Sequence, residues 1–163
     1  MSSSEPSLRV LFVCTGNTCR SPMAAAALAH ALGSESGRVD VSSAGTAAWD
    51  GQPVTEASLE VTARDGIDLR SHRSRRVTPA LLRGADLVLV MERGHLNAVH
   101  ALGANPKHTH VLSEWPEPGE PELPISDPFG ASIEAYEECW NRIRRHIQRV
   151  TPVVVEALRA RSM

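Results

Sequence analysis

Residues 10–23 read Val10-Leu11-Phe12-Val13-Cys14-Thr15-Gly16-Asn17-Thr18-Cys19-Arg20-Ser21-Pro22-Met23. An apolar run becomes a short polar loop and then enters an alanine-rich segment. Residues 8–13 read as a buried strand. Residues 21–32 read as a helix, with Ser21 able to cap it and Pro22 at its first position. A strand–loop–helix junction aims several backbone N–H groups at one spot, and with the helix dipole they make an anion site. Gly16 lets the backbone fold over an anion without a Cβ clash. Arg20 adds a planar fork that can bind two oxygens at once.

Cys14 sits at the base of this cup, where the N–H groups, the dipole and Arg20 favour its thiolate. Thiols so placed ionise at roughly 3.5–7.5, against ~8.5 when free. A thiolate beneath a bound phosphoryl group is a nucleophile aimed at phosphorus. A bare C-x5-R also arises by chance, as a structural cysteine beside a surface arginine. This one follows a strand, opens a helix, and encloses Gly16, Asn17 and Thr18, with Ser21 after the arginine.

Outward from the junction, residues 38–43 read as a second strand after a Gly33–Gly37 loop, and Pro53–Asp65 as a helix ended by Gly66. Thr78 caps a short helix with Pro79 at its first position. Ala85–Met91 reads as a buried third strand, followed by a helix over about 92–101 and a short strand over 109–112. The proline-rich stretch from Trp115 to Pro124 is neither helix nor central strand. A loop this long inside a compact domain is usually functional. From Ser132 a helix starts, with Ile133, Tyr136, Trp140, Ile143, Ile147 and Val150 forming a core-facing stripe. Pro152, after a capping Thr151, kinks that helix or starts another. Strands alternating with helices predict an α/β fold with a parallel sheet and the first loop at a carboxyl end, where such sheets bind ligands.

At 163 residues the chain is expected to be one domain over 8–163 behind a disordered tail over 1–7. Net charge is −2, which gives no pull toward nucleic acid or a membrane surface, and no apolar run approaches a ~20-residue span. The start lacks the basic and apolar parts of a signal peptide. Three cysteines do not make a secreted disulfide framework, so a reducing cytoplasm is expected. The seven histidines are scattered, and Cys14 and Cys19 lack zinc-knuckle spacing, so no metal or cofactor is expected. A leaving group needs a proton from the side opposite the thiolate. Asp127 can supply it, with Glu114, Glu117, Glu120 and Glu122 as rivals on residue chemistry alone.

The run C-T-G-N-T-C-R-S-P-M-A from Cys14 resembles the active-site loop of the low-molecular-weight protein tyrosine phosphatases. Asp127-Pro128-Phe129-Gly130 resembles that family's second signature, which carries its general acid. Matching segments run from about residue 8 to about 150. The resemblance implies a three-layer sandwich with a central four-stranded parallel sheet. It implies phosphoprotein substrates with a phosphocysteine on Cys14, whose equatorial oxygens the Arg20 guanidinium and the N–H groups of residues 15–20, from Thr15 through Cys19 to Arg20, hold as charge develops. Asp127 becomes the acid and then the base. Ser21 donates toward the sulfur, and Ser43 and His72 support an Asn17 that tolerates left-handed backbone. Cys19 becomes a reversible redox partner of Cys14, although a small buried side chain explains it equally. Trp49 walls the cleft or packs in the core, and Cys139 packs in the core. A monomer is expected.

Many tyrosine-specific members carry a larger aliphatic residue at the position of Thr18 and often Tyr at that of Phe129. Thr18 and Phe129 resemble the bacterial protein arginine phosphatase branch, in which a shorter Thr leaves room for a planar guanidinium that Asp127 can pair. Phosphoarginine is therefore preferred, with phosphotyrosine close behind, because one methyl-scale change discriminates by only ~1–3 kcal/mol. A thiol-linked arsenate reductase would need resolving cysteines on a mobile segment, and only Cys139 is left over. A non-catalytic phosphoprotein-binding module would be favoured by loss of Cys14, Arg20 or the acid, and all three are present.

Overall fold

The computed structural model describes residues 7–117 and 124–161. Four strands form one parallel sheet: β1 (Leu8–Cys14), β2 (Val39–Gly45), β3 (Leu87–Val90) and β4 (Thr109–Val111), in the order β2-β1-β3-β4. The helices are α1 (Arg20–Leu32), α2 (Glu56–Ala63), α3 (Pro79–Gly84), α4 (Arg93–Ala101) and α5 (Ile133–Arg161). The α/β sandwich expected from the alternation is therefore present.

Side-chain alternation along β1 builds the layers. Val10, Phe12 and Cys14 face one side and pack with Leu28 of α1 and Trp140, Ile143 and Ile147 of α5. Leu11 and Val13 face the other side, with Leu82 of α3, Val88 and Val90 of β3, and Val99 of α4. The sheet thus lies between two helical layers. Each such buried side chain contributes about 1.5–3 kcal/mol of transfer free energy, so both faces of β1 hold the loop that follows it.

Several local expectations are corrected. Ser21 does not cap α1: the helix starts at Arg20, the cap position is Cys19, and no side chain caps it. The Ser21 hydroxyl is drawn into the loop instead, as described below. Pro22 lies in the first turn rather than at the first position, still where its missing N–H costs nothing. Gly33–Arg38 is a 3-10 turn rather than an open loop. The helix expected from Pro53 starts at Glu56, because Thr55 caps it through the Ser58 N–H. Pro152 starts no new helix, since α5 runs through it. Thr151 is no cap either: its hydroxyl donates to Ile147 O at 2.7 Å within the helix. The expected cap of α3 is present, with Thr78 accepting from Leu81 N.

Residues 1–6 of the expected tail and 118–123 of the proline-rich loop lie outside the described residues. Ser7 is tied down: its N–H donates to Arg38 O at 2.9 Å and its carbonyl accepts from Arg161 at 3.1 Å. Among the described residues, no helix is long and apolar enough to cross a membrane.

Candidate active site

The loop from Cys14 to Arg20 joins the carboxyl end of β1 to α1, and Cys14 and Arg20 are both buried. Asn17 is the one described non-glycine residue with positive φ, at 58°. Four hydrogen bonds hold it there. Its Nδ2 donates to Ser21 Oγ at 2.8 Å and to Ser43 Oγ at 2.9 Å. Its Oδ1 accepts from Arg75 N at 3.0 Å, and its carbonyl accepts the His72 Nε2–H at 2.8 Å. The left-handed Asn17 and its Ser43 and His72 contacts match the expectation. Arg75 was not foreseen. His72 is half-buried rather than free on the surface, and burial pushes its pKa down despite the Asn17 carbonyl, so it bonds as the neutral ring.

The same arrangement aims Ser21 at the sulfur. Ser21 Oγ accepts from Asn17, which leaves its proton for Cys14 Sγ at 2.9 Å, ahead of Ala44 O at 3.4 Å. Ser21 N also donates to the sulfur at 3.4 Å. The expected low thiol pKa is corrected, however. Burial pushes the Cys14 thiol up; the Ser21 hydroxyl, the Arg20 charge and the Ser21 and Asn17 N–H groups act the other way without overcoming it. A sequence names the groups that favour a thiolate but not how completely water is removed from it.

Arg20 is the electrostatic hub. Its Nη1 donates to Glu92 Oε2 and to Ile125 O, each at 2.8 Å. Its Nη2 donates to Thr15 Oγ1 at 3.3 Å and lies 3.6 Å from Asp127 Oδ2. Its buried Nε has no hydrogen-bond partner among the described residues. A buried donor left unpaired costs about 1–3 kcal/mol, and an oxyanion in the cup would take it. Asp127 is 44 % exposed, and its Oδ1 accepts the Phe129 N–H at 3.0 Å. Among the rival acids, Glu114 pairs outward with Arg93 at 3.0 Å, and Glu120 and Glu122 lie outside the described residues.

Gly16 is not demanded by the protein's own atoms, since a Cβ there would meet only Thr18 Oγ1, at 3.6 Å. Gly45 is the obligatory glycine. It pairs with Cys14 in register, and a Cβ there would overlap Thr15 O and stand 3.0 Å from Asn17 N. Cys19 is buried, 3.4 Å from Tyr136 Oη and 3.7 Å from Thr55 Oγ1. Burial and the Cys19 sulfur push the Tyr136 phenol up to about 12. Cys14, Cys19 and Cys139 are all free thiols. Cys139 is buried as expected, and burial pushes it up to about 12. Trp49 and Phe129 are 81 % and 67 % exposed, so Trp49 is not a core residue. Trp49 belongs to the loop whose Ala47 N–H donates to Thr15 O at 2.9 Å and whose Thr55 N–H donates to Thr18 O at 3.0 Å. Among the described residues, no group of three or more His, Cys, Asp or Glu is placed to hold a metal ion.

Glu92 and His95 were missed as well. Glu92 stands just past the end of β3, and its N–H donates to His95 Nδ1 at 3.2 Å. His95 Nε2 lies 2.8 Å from Thr15 Oγ1. Burial and the Arg20 charge push His95 down to about 4. The available signal was a Glu-x-x-His pair at the carboxyl end of a buried strand, where helix caps and ligand sites coincide.

A cysteine-bearing loop at the carboxyl end of a parallel strand, with a buried arginine facing both that loop and an aspartate, is an arrangement suited to binding an oxyanion. Residues 9–161 match the family model for low molecular weight phosphotyrosine protein phosphatase, and the chain belongs to that family. It is 35 % identical over 144 residues to a probable low molecular weight protein-tyrosine-phosphatase, EpsP, of Ralstonia nicotianae, covering 88 % of this chain and 93 % of the relative. It is likewise 35 % identical over 143 residues to a protein-arginine-phosphatase of Geobacillus stearothermophilus, covering 87 % and 93 %. The solved structure of the YwlE arginine phosphatase from Geobacillus stearothermophilus superposes with a TM-score of 0.82 at 33 % identity, covering 92 % of this chain and 94 % of that one.

Proposed function

We propose that the chain dephosphorylates phosphoproteins through a phosphocysteine on Cys14, with phosphoarginine as the preferred group. The observation that carries this reading is Arg20. Its guanidinium is buried, tied to Glu92 and Ile125, set between the Cys14 loop and Asp127, and left with one unpaired donor. In the first step the Cys14 thiol passes its proton to a phosphoryl oxygen of the bound substrate and its sulfur attacks phosphorus as the thiolate. The S–P bond forms as the bond to the leaving nitrogen or oxygen breaks, and protonated Asp127 gives that atom its proton. The Arg20 guanidinium and the loop N–H groups of Thr15, Gly16, Asn17, Thr18, Cys19 and Arg20 take the charge on the equatorial oxygens. In the second step the Asp127 carboxylate takes a proton from water, whose oxygen attacks phosphorus. The S–P bond breaks, phosphate leaves and the thiolate returns.

Thr18 supports the arginine preference: it is short, polar and only half-buried at the loop, and Asp127 can pair a guanidinium. Phosphotyrosine is the second reading, favoured by the exposed rings of Trp49 and Phe129, which can pack on a phenol. Cys19 serves as the reversible redox partner of Cys14. The enzyme works as a monomer in the cytoplasm, whose reducing poise keeps the three thiols free.

The test compares kcat/KM on phosphoarginine and phosphotyrosine peptides, with Cys14→Ser as the blank. A tenfold advantage for phosphoarginine, about 1.4 kcal/mol, is the expected result, and Thr18→Ile should erode it. A tyrosine advantage refutes the preference alone. No turnover above the blank refutes the phosphatase reading.

A further inference from the structure

We propose that His95 is a positioning residue of this site, fixing the Thr15 hydroxyl so that Thr15 donates its own proton to the bound phosphoryl group; this rests on the phosphatase reading above. A threonine hydroxyl has one proton and two lone pairs. Because His95 Nδ1 accepts the Glu92 N–H at 3.2 Å, the neutral ring carries its proton on Nε2. That proton is donated to Thr15 Oγ1 across 2.8 Å. Arg20 Nη2 donates to the same oxygen at 3.3 Å. Both lone pairs of Thr15 are then engaged by these two donors, and its own proton must find another acceptor.

Thr15 follows Cys14 directly and, unlike Cys14, is exposed. Its proton is therefore available at the mouth of the cup, where a phosphoryl oxygen gaining charge would accept it. Glu92 closes the ring. Its carboxylate holds Arg20 Nη1 at 2.8 Å while its N–H sets the His95 tautomer. Glu92, two residues past the end of β3, thus orients the guanidinium and, through His95, the hydroxyl. The imidazole remains neutral at working pH because burial and Arg20 hold it down to about 4.

The experiment uses the full chain and four variants: His95→Ala, His95→Gln, Thr15→Val and the His95→Ala/Thr15→Val double variant. The readouts are kcat and KM on p-nitrophenyl phosphate, with Tm reporting folding. His95→Ala should lower kcat by on the order of tenfold or more with KM little moved, as expected for a donor used in the transition state. His95→Gln should recover most of it, because the Gln amide N–H can reach the place of Nε2. Thr15→Val should lose as much as His95→Ala, and the double variant no more than Thr15→Val alone. Should His95→Ala fail to fold, Thr15→Val and His95→Gln carry the same test. Losses that multiply in the double variant, or a His95→Ala enzyme with wild-type kcat, overturn the role of His95. A wild type no faster than Cys14→Ser overturns the phosphatase reading and this role with it.

Discussion

Gly45→Ala should cripple the enzyme through a single added methyl group. Gly45 ends β2, pairs with Cys14, donates its N–H to Arg75 O at 2.9 Å and accepts from Val77 N at 2.9 Å. A Cβ there would overlap Thr15 O and stand 3.0 Å from Asn17 N and 2.9 Å from Ala48 Cβ, where ordinary contact begins at 3.4 Å. Two of these three neighbours are backbone atoms of the nucleophile loop, so no rotamer change relieves the overlap. Gly45 is held from both sides, so the loop must move, by roughly 0.5–1 Å. Overpacking of this kind costs about 1–3 kcal/mol. At this chain length each kcal/mol lowers Tm by about 2–4 °C. Misplacing a reacting group by about 1 Å costs on the order of 10²-fold in rate. The expected result is therefore a kcat/KM on p-nitrophenyl phosphate reduced about a hundredfold, with Tm lowered by several degrees. Gly84→Ala is the control, because a Cβ there meets nothing within 4 Å. In the last position of α3 it should be neutral or stabilising by up to ~1 kcal/mol. A Gly45→Ala enzyme with wild-type kcat/KM and Tm would refute the reasoning.

Ser21→Ala removes a hydrogen bond that favours the Cys14 thiolate. The pH midpoint of iodoacetamide inactivation should move up, and an unmoved or lower midpoint contradicts the assignment. Asp127→Asn should lower kcat by about 10²–10⁴ on phenyl phosphate, and by less on p-nitrophenyl phosphate, whose leaving group needs no proton; equal losses would remove Asp127 as the acid. Trp49→Ala and Phe129→Ala alter side chains already in solvent, so Tm should hold within the noise of a ±0.5 kcal/mol surface change while KM for aryl substrates rises. Acid should weaken the fold. His95 and His146 are both pushed down to about 4, first by burial, from an ordinary 6.5. Between those pH values the unfolded chain binds more protons. Stability is then fully present above about 6.5 and falls toward about 4, by up to about 3 kcal/mol for each ring. Urea midpoints at pH 7.5, 5.5 and 4.5 would show it, and a flat profile would disprove it.

Much of the site was legible in local sequence. Cys14, Arg20 and Ser21 lie within eight consecutive residues, and the apolar run over 8–13 reads as the buried strand that precedes them, while which helices cover each of its faces came from the packing. The left-handed Asn17 followed from its side-chain chemistry in a tight polar loop. Ser43 and His72 needed the family resemblance, because nothing in their own neighbourhoods says that they meet Asn17. Helix ends slipped by one to three residues wherever a side chain had a choice of partner. Ser21 forms hydrogen bonds inside the loop instead of capping α1, and Thr55 rather than Pro53 sets the start of α2.

The sequence by itself determined the α/β class and the strand–loop–helix junction that carries Cys14 and Arg20, since each depends on residue type and on short-range periodicity, whereas only the family resemblance singled out Asp127 from Glu114, Glu117, Glu120 and Glu122 as the expected acid. Tertiary structure alone decided which groups complete the site. Glu92 reaches Arg20 across 72 positions and His95 reaches Thr15 across 80, and Gly45 meets the loop only because β2 pairs with β1 in one register. It also decided that burial acts on the Cys14 thiol, pushing it up. Charge and hydrogen-bond partners can be read from a chain, but desolvation is a property of the packed interior and exists only once the layers close over the sulfur.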